Sequence, residues 1–395
     1  MKMEHRLSEE QREIQQLART IAQEKAKPVR QKYDEESIFP RDIVEELARV
    51  DMFRVFIPTE YDGLVEEGRG IVNMCIVTEE LSKVCGGIAL AFAGTGLGTF
   101  PILLFGSDEQ KKRFLPDIAA GKRLAAFGLT ESSAGSDAGA IRTTAIRDGD
   151  EYVLNGTKIF ITNGGEADIY TIVALTNPSK GARGASAFVI EKDTPGFTFG
   201  KKENKMGIHA SVTRELIFED ARVPVENLIG REGQGFIVAM KTFDTSRPGV
   251  AAQAVGIAEG AMEEALRYVH SRRQFGKSIM SFQGIQWMFA DMATQIEAAR
   301  ALTYQVADMI DRGITKDVGH LSAMAKVFAS DTAMKVATDA VQIFGGYGYM
   351  TEYPVEKMMR DAKITQIYEG TNQIQRNVIG GRLMKESARL ADHLG

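Results

Sequence analysis

The apolar periodicity of this chain changes twice, and those two changes constrain the fold more than any single motif. Up to about residue 124 the spacing is helical. Ser8 and Gln11 form a capping box ahead of Ile14, Leu17, Ala18 and Ile21. Pro40 sits just inside a second helix carried by Ile43, Val44 and Leu47, and Pro58 to Gly63 is a turn. A third helix runs from Ile71 to Val84 and ends at Gly86-Gly87, and Ser107 with Gln110 opens a further one. Near Leu124 short runs bounded by Gly, Pro, Asn or Asp take over. Leu154-Asn155-Gly156-Thr157 is a hairpin signal between two of them, and Ile169–Leu175, Ala187–Ile190 and Glu215–Phe218 are others. From Phe236 the helical period returns over Phe236–Thr245, Val250–His270, Phe282–Arg312, Lys316–Phe344 and Gln373–Leu394. The expectation is a mostly α protein with a middle β domain: helical over 1–124, β over 125–235, and a helical bundle over 236–395.

Composition removes several function classes. The net charge of −5, with no basic cluster to offset it, argues against nucleic acid. The first residues read as a charged amphipathic helix instead of a signal peptide, and no apolar run is expected to enter a membrane. Cys75 and Cys85 lack metal-ligand spacing and read as buried thiols of a cytoplasmic protein. His5, His209, His270, His320 and His393 are scattered, so no metal site is expected.

Four stretches carry chemistry. Gly128 to Ala140 leaves a strand and enters a loop of small residues and hydroxyls, suited to an anion or to the polar edge of a heterocycle, or else simply a long turn. It matches neither common phosphate-loop pattern. Gln342-Ile343-Phe344-Gly345-Gly346-Tyr347-Gly348-Tyr349 permits close backbone approach to a ligand, or makes a glycine-rich corner between helices. Arg272-Arg273-Gln274-Phe275-Gly276 follows a long helix and suits a pyrophosphate or an electrostatic cap. The last stretch, Ile367 to Arg376, places Glu369 between Tyr368 and Gly370 on a turn that leads into a helix. There a carboxylate can reach a ligand while the helix behind it stays fixed.

Together these stretches resemble the acyl-CoA dehydrogenase family over essentially the whole chain. Gly128–Ala140 fits the family's first signature. The second runs from Gln342 through Gly345, Gly346, Gly348, Tyr349, Glu352 and Lys357 to Asp361, with Lys205-Met206-Gly207-Ile208 and Val223-Pro224 as further landmarks. The resemblance implies a helical N-terminal domain, a barrel-like β domain, a C-terminal four-helix bundle and noncovalent FAD. It implies flavin contacts from Phe127, Leu129, Thr130, Gly135, Ser136 and Thr162, with Phe160 standing where many relatives carry Trp. Arg272, Gln274, Phe275, Gln342, Gly345 and Gly346 would reach the FAD of a neighbouring subunit in a homotetramer, and Thr371 and Gln373 would complete the site. Ser136, Phe243, Asp244, Arg247, Tyr368 and Gly370 would contact the acyl-CoA.

The implied reaction is α,β-dehydrogenation. Glu369 takes the α-proton, the β-hydrogen leaves as hydride to flavin N5, and electrons pass to an electron-transferring flavoprotein. Some relatives carry the base on the Phe243–Arg247 helix, but the matching residue here is Ser246. An acyl-CoA oxidase and a catalytically silent acyl-CoA-binding homologue are the alternatives. Ala89 and Ala93 either leave width for an acyl tail or let helices pack closely. With Tyr368 and Phe92 limiting depth, the first option implies a short branched, cyclic or aryl-substituted group.

Overall fold

A computed structural model describes residues 7–391, apart from 67, 69 and 315. His5, His393 and the expected helix end at Leu394 lie outside the described residues. Helix α1 (Glu9–Ile21) starts at Ser8, whose hydroxyl accepts from Gln11 N–H while the Gln11 side chain accepts from Ser8 N–H, both at 3.1 Å. It continues through a π-helical turn, Ala22–Ala26, into α2 (Lys27–Glu35). Pro40 lies one place outside α3 (Arg41–Arg49) instead of within its first turn.

Helix α4 (Ile71–Ser82) has no capping side chain of its own. Its first two N–H groups donate to the Asp311 carboxylate from the far end of the chain, at 2.8 and 3.0 Å. This remote cap satisfies donors that would otherwise be orphaned at a buried helix start. Gly86-Gly87 does not close this helix. The chain leaves α4 at Lys83, Cys85 is extended, and Gly86 opens α5 (Gly86–Phe105). A Cβ on Gly87 would stand a tight 3.2 Å from Ala210, so glycine eases the close approach there. Helix α5 is long and apolar enough to cross a membrane, yet it lies mostly buried inside the protein as a core helix. Helix α6 (Asp108–Ala119) begins with the expected Ser107–Gln110 capping box.

An eight-stranded sheet follows: β1 (Ala125–Gly128), β2 (Thr144–Asp148), β3 (Glu151–Thr162), β4 (Ile169–Leu175), β5 (Ala185–Glu191), β6 (Phe197–Lys202), β7 (Thr213–Pro224) and β8 (Leu228–Ile229). The order is β6-β7-β3-β2-β4-β5-β8, with β1 parallel to β4. Asn155-Gly156 is not a hairpin turn. It lies within β3 at a register shift, and the hairpin turns at Gly149-Asp150, between Asp148 and its partner Glu151. Asn155 instead exchanges two hydrogen bonds with Asp220 of β7, at 3.0 and 2.9 Å, which fixes the bulge.

Helix α7 (Gly235–Ser271) is continuous where the sequence suggested two segments. Pro248 removes the N–H that would bond Asp244 C=O, but Ser322 Oγ donates to that carbonyl at 2.7 Å and the helix carries on. A short β9–β10 hairpin (Arg273–Gln274, Lys277–Ser278) turns at Phe275 and Gly276, which both have positive φ. Helices α8 (Gln283–Asp311) and α9 (Val318–Phe344) pack along α7. Helix α10 (Pro354–Thr365) was unforeseen, although Pro354 at its first turn and Val355, Met358 and Ala362 at helical spacing signal it. Helix α11 (Asn372–Ala391) ends the described chain.

Buried ion pairs lock the N-terminal helices to the bundle. Lys83 meets Glu259 at 2.7 Å, and Arg300 bridges Glu79 at 3.0 Å and Glu259 at 2.6 Å. Removing one partner of such a web leaves an uncompensated charge, at a cost of about 3–5 kcal/mol.

Candidate active site

Glu369 sits in the turn between α10 and α11 with φ of 51°, a left-handed conformation that a non-glycine residue adopts only when its surroundings hold it. The holding groups converge from three helices. Arg247 Nε of α7 donates to the Glu369 carbonyl at 3.3 Å, and Gln375 Nε2 of α11 does so at 3.1 Å. Gln375 also donates to the Gly370 carbonyl at 2.9 Å, as does Lys326 Nζ of α9 at 2.8 Å. Gly370 has φ of 93°, and a Cβ on it would lie 2.4 Å from Gln375 Nε2, so only glycine fits. Thr371 Oγ1 accepts from Ile374 N–H at 3.3 Å and starts α11.

The side chains around the carboxylate set its proton affinity. Ser246 Oγ donates to Glu369 Oε2 at 2.5 Å. Burial pushes the Glu369 carboxyl above the usual range, against the opposing pull of Ser246, Arg247 and Lys326. Arg247 is itself buried, pairs with Asp244 at 3.4 Å and lies over the Phe243 ring at 5.8 Å. Burial pushes Asp244 upward, with Arg247 and Lys241 opposing. The Tyr368 hydroxyl bonds Gln253, whose amide donates to Gly86 C=O at 3.0 Å, so the base turn is tied to the start of α5.

A second group of predicted residues lines the end of the sheet. Phe127 meets Phe243 edge to face at 5.6 Å, which joins β1 to the base turn through Arg247. Leu129 is buried, and Thr130 and Thr162 are half-buried. Fully buried Lys158 donates to Leu129 C=O at 3.0 Å and to Glu131 at 2.7 Å, and Glu131 accepts from Arg142 N–H at 2.6 Å and Thr143 N–H at 3.0 Å. The Thr130 turn is thus fixed from behind. Phe160 stands out from β3 with φ of 60° and 64% exposure. Gly94 of α5 closes the strip, since a Cβ there would come within 2.9 Å of Thr162. Two threonines, nearby backbone polar groups and an exposed aromatic face suit a flat heterocycle with one polar edge, so the donor set fits a flavin.

The remaining predicted residues form other groups. Gly135 and Ser136 lie on the exposed loop after β1, with open space around Gly135. Arg272, Gln274 and Phe275 lie on the β9–β10 side, Phe275 being 91% exposed. Arg272 covers the Tyr347 ring at 5.2 Å, beside exposed Gln342, Gly345 and Gly346. Gln373 is exposed on α11.

Phe92 is a correction. Its ring packs in the N-terminal core against Phe53 and Phe56, at centroid distances of 5.5 and 5.6 Å, so it does not bound the cleft. Ala89 is likewise fully buried. Ala93 and Leu97 are partly exposed and stand one helical turn apart, beside Gly94. Sequence reasoning missed Lys326, Gln375, Gln253 and the supporting role of Ser246. A lysine amid the small apolar residues of α9 was a usable signal for Lys326, because lysine is seldom fully buried.

The family models for acyl-CoA dehydrogenase N-terminal, middle and C-terminal domains match residues 8–122, 126–221 and 233–384. A short-chain-specific acyl-CoA dehydrogenase of Clostridium acetobutylicum is 49% identical over 97% of this chain and 100% of its own. The structure of butyryl-CoA dehydrogenase from Megasphaera elsdenii matches with a TM-score of 0.93 at 48% identity, covering 96% of this chain and 99% of that one. A chain in the structure of the electron transferring flavoprotein of Acidaminococcus fermentans matches with a TM-score of 0.93 at 50% identity, covering 95% and 98%. With three domains in the family's order around one carboxylate and a flavin-shaped strip, the chain belongs to the acyl-CoA dehydrogenase family and is an FAD-dependent oxidoreductase.

Proposed function

We propose that this enzyme desaturates a short acyl-CoA with Glu369 as the general base. The observation that carries the reading is a half-buried carboxylate raised in proton affinity and held on a strained turn next to the flavin strip. Proton transfer is most effective when the base's affinity approaches the operating pH, and burial moves Glu369 in that direction. Ser246 and Arg247 oppose that shift and favour its ionised form. Among the described residues the Glu369 N–H has no hydrogen-bond partner, which leaves a donor free for the thioester oxygen as negative charge develops there. Phe127, Leu129, Thr130, Phe160 and Thr162 would hold FAD, with Gly135, Ser136, Thr371 and Gln373 extending the site. When bound, FAD supplies the acceptor that takes the β-hydrogen as hydride. Phe243, Asp244, Arg247, Tyr368 and Gly370 orient the acyl-CoA so that its α-hydrogen faces Glu369.

The acyl group in this reading is short, as in the named relatives from Clostridium and Megasphaera. Ala93 leaves width for a branch or ring, while Leu97 bounds it one turn away. Electrons pass to an electron-transferring flavoprotein, in line with the Acidaminococcus match. A cytoplasmic homotetramer completes the proposal. Phe275, Trp287 and Tyr349, at 91%, 62% and 81% exposure, are apolar surface that a second copy would cover. Arg272, Gln274, Phe275, Gln342, Gly345 and Gly346 would then meet the neighbour's FAD. Dye-linked turnover across butyryl-, isobutyryl-, cyclohexanecarbonyl- and palmitoyl-CoA tests the substrate. Palmitoyl-CoA as the best substrate overturns the short-chain reading.

A further inference from the structure

Among the described residues four lysines are buried: Lys83, Lys158, Lys326 and Lys357. Three of them have a carboxylate within salt-bridge distance: Glu259 on Lys83 at 2.7 Å, Glu131 on Lys158 at 2.7 Å, and Asp361 on Lys357. Lys326 differs. It is fully buried, and its Nζ bonds two neutral acceptors, Gly370 C=O at 2.8 Å and Asn372 Oδ1 at 3.0 Å. Among the described residues no carboxylate lies within 4.0 Å of it. A buried ammonium without a contacting counter-charge is costly, so the charge that balances it must act from slightly farther away.

The charged groups facing Lys326 are Glu369 on the turn, Arg247 on α7 and Asp331 on its own helix. Asp331 already accepts from Gln366, Asn372 and Arg376 at 2.7, 2.8 and 2.7 Å, and α11 otherwise offers the amides of Asn372 and Gln375. Arg247 repels Lys326 and has Asp244 as its own partner. Glu369 therefore carries the balancing charge, and the carbonyl that Nζ grips belongs to the very next residue.

We propose that Lys326 is a positioning residue for the base: it holds the Gly370 carbonyl that fixes the turn, and its ammonium keeps Glu369 ionised until substrate supplies a proton. This rests on Glu369 being the base. Burial brings Lys326 down to about 7 and pushes Glu369 up, each opposed by the charge of the other, so the protonation of one depends on that of the other. Taking up the α-proton neutralises Glu369 and removes the partner of Lys326, so this coupling also favours return of the proton once product has left. The groups facing Glu369 are Ser246, Arg247, Lys326 and the Tyr368 hydroxyl.

The test is titration of the Glu369 carboxyl by difference infrared spectroscopy on FAD-loaded enzyme, with Glu369→Gln as the blank. In Lys326→Met and in Lys326→Gln, which keeps a donor for Gly370, the carboxyl titrates higher by on the order of one pH unit. The acid limb of kcat/KM moves by the same amount. A limb and a titration unchanged in variants with full FAD would reduce Lys326 to a structural lysine and overturn the proposal. Coupling is reciprocal, so Glu369→Gln must lower the titration of Lys326, read by NMR of lysine labelled with ¹³C at Cε. No change there also overturns it, even if the Lys326 variants fail to fold. Turnover at close to the wild-type rate in Glu369→Gln would instead strike the base assignment and leave the measured coupling to stand or fall separately.

Discussion

Replacing Lys158 with Met removes an ammonium of which none is exposed, at nearly constant length. Two partners are left behind. Leu129 C=O loses a 3.0 Å bond, and the Glu131 carboxylate loses its counter-charge at 2.7 Å while keeping its bonds from Arg142 and Thr143 N–H. An unmet buried carbonyl costs about 1–3 kcal/mol, and a broken buried pair about 3–5 kcal/mol. Because Glu131 keeps two donors, the lower part of that range applies, and about 3–4 kcal/mol of stability should go at pH 7. Lys158 holds Glu131 below the usual carboxylate range, against burial. A depressed acid contributes stability above its unfolded pKa and loses it as pH falls through the folded value. The gap between wild type and Lys158→Met should therefore narrow below about pH 4.5 as Glu131 takes up a proton. Urea unfolding followed by flavin absorbance and circular dichroism measures the gap, and gel filtration measures FAD retention, which should fall because the Thr130 turn loses its anchor. A loss under about 0.5 kcal/mol with full FAD retention would refute the reasoning.

Ser246→Ala removes a hydrogen bond to a carboxylate, worth about 1.5–3 kcal/mol. It should raise the Glu369 pKa and move the acid limb of kcat/KM upward by about 1–2 pH units. Ala93→Leu should reduce turnover of isobutyryl- or cyclohexanecarbonyl-CoA more than that of butyryl-CoA, by about 10-fold or more, in a dye-linked assay. Arg272→Ala should lower FAD occupancy and loosen the oligomer together, as seen by absorbance and light scattering. A monomer that keeps all its FAD would contradict that link.

The base turn was legible because its residues are contiguous: Tyr368, Glu369 and Gly370 announce a carboxylate on a turn. What holds it was not. Ser246 and Lys326 reach it from 123 and 44 residues away in sequence, and only the packing of α7 and α9 brings them there. Local signals failed where tertiary partners overrode them. Asn155-Gly156 reads as a turn, yet Asp220 makes it a bulge. Pro248 reads as a helix break, yet Ser322 takes the freed carbonyl. Periodicity cannot say which face of an all-apolar helix meets the cleft, so Phe92 was assigned to the wrong side of α5.

The central claim is that Glu369 removes the α-proton. Anaerobic mixing of FAD-loaded Glu369→Gln with butyryl-CoA, followed by stopped-flow absorbance of the flavin, tests it most directly. The variant should stay yellow, bind acyl-CoA, and bleach about 10²–10⁴-fold more slowly than wild type, the usual effect of losing a general base. Bleaching at close to the wild-type rate would place the base elsewhere.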